Sequence, residues 1–300
     1  MPKKLLSFVV PTYNYGDRLE RAVTSVAAQA GNDFEIVVVD DGSNDSTEEV
    51  IKSLLLRWPA KLRVYRQANK GAAVARNFGI KESDGKYVVF LDADDEMLPD
   101  AIENIRQAIE LSPGVNFFLG GYFSIDELGN SRQRKPGKLS NINEINFANY
   151  LNKKILISHG SFVVKQELID RVDYPENLKS GEDIPFFAHL FLLGNVSEIK
   201  AFLVRVFKHS NSLRHNVQHG NEAGLDLVDN LFDPNIVPLK LMAHKRKYSA
   251  QRCLSLSRSN FVAGEHELSR TWFLRAVKFN PIVLFDFGYV KNFVRSFFKT

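Results

Sequence analysis

Asp92, Asp94 and Asp95, with Glu96 behind them, close the stretch VVFLDADDE. Carboxylates this close drive one another's pKa upward unless a cation offsets them. Magnesium or manganese, hard ions that prefer oxygen ligands and keep positions for phosphate oxygens, would supply that charge. The plainer reading is a solvated turn in which Asp95 or Glu96 favours the next helix. VVVDDGSNDST sets a second acidic pair, Asp40 and Asp41, at the end of another apolar run. An Asp there can accept hydrogen bonds from a base or ribose, while Asp45 or Ser46 caps the following helix. NKGAAVARNFGI places Lys70 and Arg76 around a glycine that opens a helix, a ready site for an anion. Lys70 alone reads as an ordinary loop cation; Arg76, one turn in, can reach a phosphate or an acidic neighbour. SGEDIPFF puts Glu182 and Asp183 ahead of an apolar helix. By residue type alone they read as a helix cap, with a general base as the alternative. His209, in VFKHSNSLRH, follows a strand pattern, and a lone histidine is more often structural than a ligand.

The elements that must position these groups alternate regularly over the first 125 residues. LLSFVV, FEIVVVD, LRVYRQ and YVVFLD read as strands. DRLERAVTSVAAQ, DSTEEVIKSLLLRW, AAVARNFGIKES and PDAIENIRQAIEL read as helices. β-Branched runs separated by helices predict an α/β fold, a parallel sheet covered on both faces. Ligands in such sheets bind beyond the carboxyl ends of the strands. PTYN, DDGSND and DADD all follow strands and so converge on that edge. After Phe123 the pattern loosens, and IDELGNSRQRKPGK reads as a turn and an exposed, mobile basic loop. GSFVVKQELID predicts a strand leading into a helix, GEDIPFFAHLFLLG an apolar helix, and SEIKAFLVRVFKH another strand. From about Pro238 the spacing of apolar residues is helical.

The bulk composition sets bounds on this picture. The chain has 300 residues, 44% hydrophobic and 25% charged, enough for one large domain with an appendage or two modest ones. A net charge of +4 suits an anionic ligand or membrane surface and gives little support to nucleic acid, for which no motif appears. Cys253 is the only cysteine, which excludes an internal disulfide framework. The apolar run at the N-terminus is broken by Pro11, and no stretch approaches the ~18 apolar residues of a spanning helix. The expected location is cytoplasmic. No G-x-S-x-G elbow, Walker A loop or zinc spacing is present, which weakens serine hydrolase, P-loop and zinc readings.

In this order, FVVPTYN, VVVDDGSNDST, NKGAAVARNFGI, FLDADD and GEDIPFF resemble the family-two glycosyltransferases over roughly the first 215 residues. The resemblance implies a GT-A nucleotide-sugar fold, Rossmann-like and mostly parallel, with helices on both faces and a helical C-terminal extension. It implies that Pro11, Thr12 and Tyr13 lie in the first nucleotide-binding loop, and that Asp41, with Asp40 beside it, contacts the base. Arg76 would lie near the phosphates or orient the acidic loop, and Lys70, from its own place beside the helix-opening glycine, is counted with the residues that bind the nucleotide sugar. Asp92 would face the ribose, Asp94 would bind a divalent metal, Mg2+ or Mn2+, and His209 would sit near that metal or the diphosphate. Asp183 becomes the catalytic base, with Glu182 as its fallback. The implied reaction is an inverting transfer of one sugar from a nucleotide-diphosphate sugar to a glycan or lipid-linked acceptor, as in bacterial surface-polysaccharide or lipopolysaccharide synthesis. Polymerases of the family carry membrane helices and a Gln-x-x-Arg-Trp motif, absent here. Rival readings are a sugar-phosphate nucleotidyltransferase and a non-catalytic nucleotide-sugar-binding subunit.

The expected domains are 1–215, in halves 1–125 and 126–215, and a helical extension 216–300. Its end, NPIVLFDFGYVKNFVRSFFKT, mixes Phe285, Phe287, Tyr289, Phe293, Phe297 and Phe298 with Lys291, Arg295 and Lys299. It reads either as a helix packed on the protein or as an amphipathic surface resting on the cytoplasmic face of an anionic membrane.

Overall fold

The computed structural model describes residues 4–209 and 217–298. The chain divides into two compact units, Met1–Tyr174 with Leu190–His209, and Pro175–His189 with Ser210–Thr300. The domain boundary expected at residue 215 falls outside the described residues, as does Lys299.

The first unit begins with four βα repeats: β1 (Leu6–Thr12), α1 (Gly16–Ala27), β2 (Phe34–Asp40), α2 (Thr47–Arg57), β3 (Leu62–Arg66), α3 (Ala72–Lys81), β4 (Tyr87–Phe90), and, after the short β5 (Glu96–Met97), α4 (Ala101–Leu111). β1 and β2 are buried along nearly their whole length because both faces of the sheet are covered. Leu6, Phe8 and Val10 point to one face, where Leu19 and Val23 of α1, Leu54 of α2 and Ile105 of α4 join one cluster. Val37 and Val39 point the other way and pack with Ala75 of α3. This two-sided burial is why the strands are continuous apolar runs rather than alternating ones.

The chain then adds β6 (Phe117–Ile125), β7 (Ser131–Arg134), α5 (Asn143–Leu151), β8 (Phe162–Lys165) and α6 (Gln166–Ile169). α7 (Asp183–Leu193) leads into β9 (Val196–Phe207). The strand order is β3-β2-β1-β4-β8-β6-β9-β5, with β7 paired to β6. β1 to β4 are mutually parallel. β8 runs antiparallel to β4 and to β6, and β9 is parallel to β6. Two reversals restore direction, so β9 ends at the same edge as β1, β2 and β4, and β8 begins there.

The stretch expected as a basic loop is partly a strand: Ser131–Arg134 pairs antiparallel with Tyr122–Ile125. Asp126 makes the hairpin turn by accepting the N–H groups of Leu128 and Asn130. An exposed edge strand needs only backbone pairing, so its polar side chains give no alternation to read.

In the second unit, the α7 turns Asp183–His189 are followed by α8 (Val217–Ala223), α9 (Asp226–Leu231), α10 (Leu239–Val262), α11 (His266–Phe279), a 3-10 turn (Pro281–Phe285) and α12 (Phe287–Arg295). Cys253, Leu256, Trp272, Phe273 and Ala276 form its main apolar cluster. Among the described residues no helix is long and apolar enough to cross a membrane.

Candidate active site

The loops after β1 and β2 are laced together at the sheet edge. Asn14 takes a positive φ of 55°, a region Asn tolerates better than most residues. Its N–H donates to Ser43 Oγ at 2.9 Å and its Oδ1 accepts the Asn44 N–H at 2.9 Å. Asp45 accepts the N–H groups of Gly16, at 3.1 Å, and Thr47, at 3.0 Å, so one carboxylate pins the starts of α1 and α2. Burial raises the Asp45 pKa, but the Thr47 hydroxyl and these N–H groups outweigh it and hold the carboxyl below its ordinary value. Thr12 is buried, and its Oγ1 has no hydrogen-bond partner among the described residues. Pro11 is half-buried and Tyr13 exposed beside it.

Both residues of the Asp40–Asp41 pair are buried and engaged. Asp40 accepts the Ser43 N–H at 2.9 Å and pairs with Arg66 at 3.4 Å. Asp41 accepts from Gln67 Nε2 at 2.7 Å, the Lys70 N–H at 2.9 Å and the Gly71 N–H at 2.8 Å. Its charge therefore sits against the start of α3, where helix N–H groups favour an anion. Gly71 makes that turn at φ 97°, which an L side chain rarely adopts. The Lys70 side chain is exposed.

In the acidic loop each carboxylate has a different partner. Asp92 accepts from Arg76 Nη2 at 2.9 Å and lies 3.2 Å from His159 Nδ1. His159 Nε2 is 3.1 Å from the Tyr174 hydroxyl, and the Arg76 guanidinium lies 5.4 Å from the Tyr174 ring centroid. Burial raises the Asp92 pKa, yet the charges of His159 and Arg76 hold it far below the ordinary carboxylate value. Asp94 goes the other way: burial first, then the Asp92 charge, raise it, and the His209 hydrogen bond only partly counters them. His209 Nε2 is 2.7 Å from Asp94 Oδ2, and His209 Nδ1 is buried with no partner among the described residues. Arg21 donates to the Asp94 carbonyl, and among the described residues no Lys or Arg ion-pairs with the Asp94 carboxylate. Asp95 is buried and accepts the Phe207 N–H at 3.0 Å, latching the loop to the end of β9. The Tyr15 phenol, pushed up to about 12 by burial and the Asp94 charge, closes this corner.

Ligand atoms of Asp92, Asp94 and Asp95 all lie within 4.8 Å of one another. The donor set fits a hard divalent cation: carboxylate oxygens, an imidazole beside them, and one carboxyl whose charge the protein leaves unbalanced. Arg76 and His159 already offset Asp92, so the residual demand for positive charge centres on Asp94.

Glu182 and Asp183 belong to the second unit, half-buried where Gly181, at φ 78°, turns the chain into α7. Asp183 is the first residue of the helix, and Ile184 donates its N–H to the Gly181 carbonyl at 3.1 Å. The Tyr248 phenol is pushed up to about 12 by burial, with Arg252 opposing and the Asp183 charge adding to it. The structure thus gathers Thr12, Asp40, Asp41, Arg76, Asp92, Asp94 and His209 at one sheet edge within the first unit.

His159, Tyr174, Tyr15 and Arg21 were not singled out in the sequence. His159 precedes β8, and only the antiparallel pairing of β8 with β4 brings it beside Asp92. Tyr15 and Arg21 carried a readable signal, since they follow PTYN directly on the loop and helix after β1.

The model of the family described as "Glycosyl transferase family 2" matches residues 7–172. An uncharacterized glycosyltransferase, MJ1057, of Methanocaldococcus jannaschii is 31% identical over 190 residues, 62% of this chain and 64% of that protein. The uncharacterized glycosyltransferase YibD of Escherichia coli is 42% identical over 100 residues, 33% of this chain and 29% of that protein. The chain thus spans less than two thirds of the length of these curated relatives. Among solved structures, S. aureus TarS residues 1–349 in complex with UDP-GlcNAc superimposes with a TM-score of 0.67 at 22% identity, covering 91% of this chain and 81% of that one. At that identity the likeness is one of fold.

Proposed function

The chain belongs to glycosyl transferase family 2, and on that premise we propose that it moves one sugar, with inversion, from a nucleotide-diphosphate sugar to a hydroxyl of a glycan or lipid-linked saccharide. The observation that carries this reading is the Asp92–Asp94–Asp95 cluster at the carboxyl edge of the sheet, with Arg76 on Asp92 and His209 on Asp94. Cell-surface polysaccharide or lipopolysaccharide synthesis is the setting that suits such an acceptor.

In this proposal the nucleotide enters across Pro11, Thr12 and Tyr13, where the buried Thr12 hydroxyl offers an unused hydrogen bond. Asp41 acts through the loop it braces, presenting the Lys70 region and the start of α3 to the phosphates. Arg76 and His159 hold the Asp92 carboxylate ionised and oriented towards the ribose. Asp94 and His209 would hold Mg2+ or Mn2+, which when bound supplies positive charge against the diphosphate leaving group. Asp183 takes the proton from the acceptor hydroxyl as that oxygen bonds to the anomeric carbon, while the bond from that carbon to the diphosphate oxygen breaks and its electron pair leaves with the nucleoside diphosphate. Glu182 is the neighbouring carboxylate that would take over this step if Asp183 does not reach the acceptor.

Calorimetry of nucleoside diphosphates with and without Mn2+ tests the core of this reading, beginning with UDP because the TarS complex contains a UDP-sugar. Metal is expected to tighten nucleotide binding by roughly tenfold or more, about 1.4 kcal/mol of coupling. Asp94→Ala should abolish that coupling in a folded protein. Asp183→Asn should leave binding intact and slow transfer or donor hydrolysis by roughly 10²- to 10⁴-fold. Nucleotide affinity indifferent both to metal and to Asp94→Ala would overturn the proposal.

A further inference from the structure

Every exposed phenylalanine among the described residues lies in one short stretch of the second unit: Phe285, Phe287, Phe297 and Phe298. Ile282, Leu284 and Val294 are exposed there too, and Phe287 reaches 84%. The stretch is nevertheless anchored. Tyr289, Val290 and Phe293 pack against the cluster that contains Cys253, Trp272 and Phe273. Phe293 stacks on Phe273 with ring centroids 4.6 Å apart, and Arg270 donates to the Ser296 carbonyl at 2.6 Å. Asn280 and Asp286 accept the N–H groups of Ile282 and Gly288, capping the 3-10 turn and α12. One face of α12 is therefore fixed to the unit while Phe287, Lys291 and Val294, spaced four and three apart, share another.

Charge is as uneven as hydrophobicity. From Leu239 to Thr300 the sequence holds twelve Lys and Arg against Glu265, Glu267 and Asp286, a net +9, so the preceding residues carry −5 of the overall +4. α10 has no acidic residue along its length. Lys291 and Arg295 are exposed on α12 among the phenylalanines, and Lys278 is exposed at the end of α11, just before the 3-10 turn. Aromatic and aliphatic side chains held out on a short helix and ringed by cations suit the boundary between lipid headgroups and acyl chains. A symmetric contact with a second copy would instead set Lys291 and Arg295 against themselves.

We propose that the Pro281–Phe285 turn and α12 form a docking surface for an anionic membrane. Ile282, Phe285 and Phe287 enter the acyl boundary, and Lys278, Lys291 and Arg295 meet lipid phosphates. This docking is separate from the transfer reaction and is measured without it.

The test is co-sedimentation of the full chain with vesicles of phosphatidylcholine alone and of phosphatidylcholine mixed with an equal part of phosphatidylglycerol. Binding is expected to the mixed vesicles and to weaken as salt rises. Phe285→Ser with Phe287→Ser should weaken it by roughly tenfold per side chain, and Lys291→Glu with Arg295→Glu should remove the preference for phosphatidylglycerol. Unchanged circular dichroism and Tm would establish that these surface variants remain folded. Equal vesicle binding by wild type and both variants overturns the proposal, as does no vesicle binding at all. A concentration-dependent dimer, lost in the serine variant and never carried down by vesicles, would assign the patch to self-association instead.

Discussion

Asp41, expected to contact the base, is held by the protein itself as a brace within its loop. It accepts three protein N–H groups, from Gln67, Lys70 and Gly71. Asp41→Asn replaces one acceptor oxygen with an amide that points donors at donors. Urea unfolding should show a loss of about 1–3 kcal/mol, and nucleotide affinity should fall with it because the start of α3 loosens. Wild-type stability with lost affinity would instead mark Asp41 as a direct base contact. The acidic loop carries a similar lesson. Repulsion among Asp92, Asp94 and Asp95 was evident from their spacing, and a cation was the natural remedy. Arg76 as an acidic neighbour's partner was also within reach of the sequence. His159 was not, because the group that meets Asp92 follows it by most of a domain and no local pattern announces it.

At the level of elements, α3 determines where Arg76 points, and it is seated by Gly79. A Cβ at Gly79 would come within 2.3 Å of Val9 Cγ1, so the helix lies on β1 closer than a side chain permits. Gly79→Val is expected to cost about 1–3 kcal/mol by overpacking. It should also weaken nucleotide binding through the displaced guanidinium, which thermal denaturation and calorimetry on the same sample would separate. Unchanged stability would mean that α3 is not held by this contact. The βα repeats were legible because each is specified by its own residues: apolar runs for buried strands, amphipathic spacing for helices. β6 and the edge strand β7 were not, since β6 carries two glycines amid its aromatics and β7 is polar throughout. The antiparallel joins pair Tyr87 with Lys165 and Glu96 with Arg205, and such distant register leaves no trace in either segment.

For the molecule as a whole, pH enters through a buried imidazole of the second unit. His189 lies 3.2 Å from the Leu231 carbonyl, and burial pushes its pKa below the ordinary 6.5, against the opposing effects of that carbonyl and Asp233. The unfolded chain therefore binds the proton first. Stability from this group is complete above 6.5 and is lost as pH falls from there towards the depressed folded value. Urea midpoints measured at about pH 8 and about pH 5 should diverge, and His189→Gln should reduce the difference. An undiminished difference in the variant would shift the effect to other groups. A last consequence follows from β9, which lies between β6 and β5 although it comes long after both in the chain. On the ribosome, Glu96–Met97 has no ladder partner, and Asp95 no Phe207 amide, until some hundred further residues have emerged. The carboxylate loop is thus synthesised well before it is locked, so a nascent chain halted before β9 would lack the partners of Asp94 and Asp95 while Asp92 could already meet Arg76 and His159.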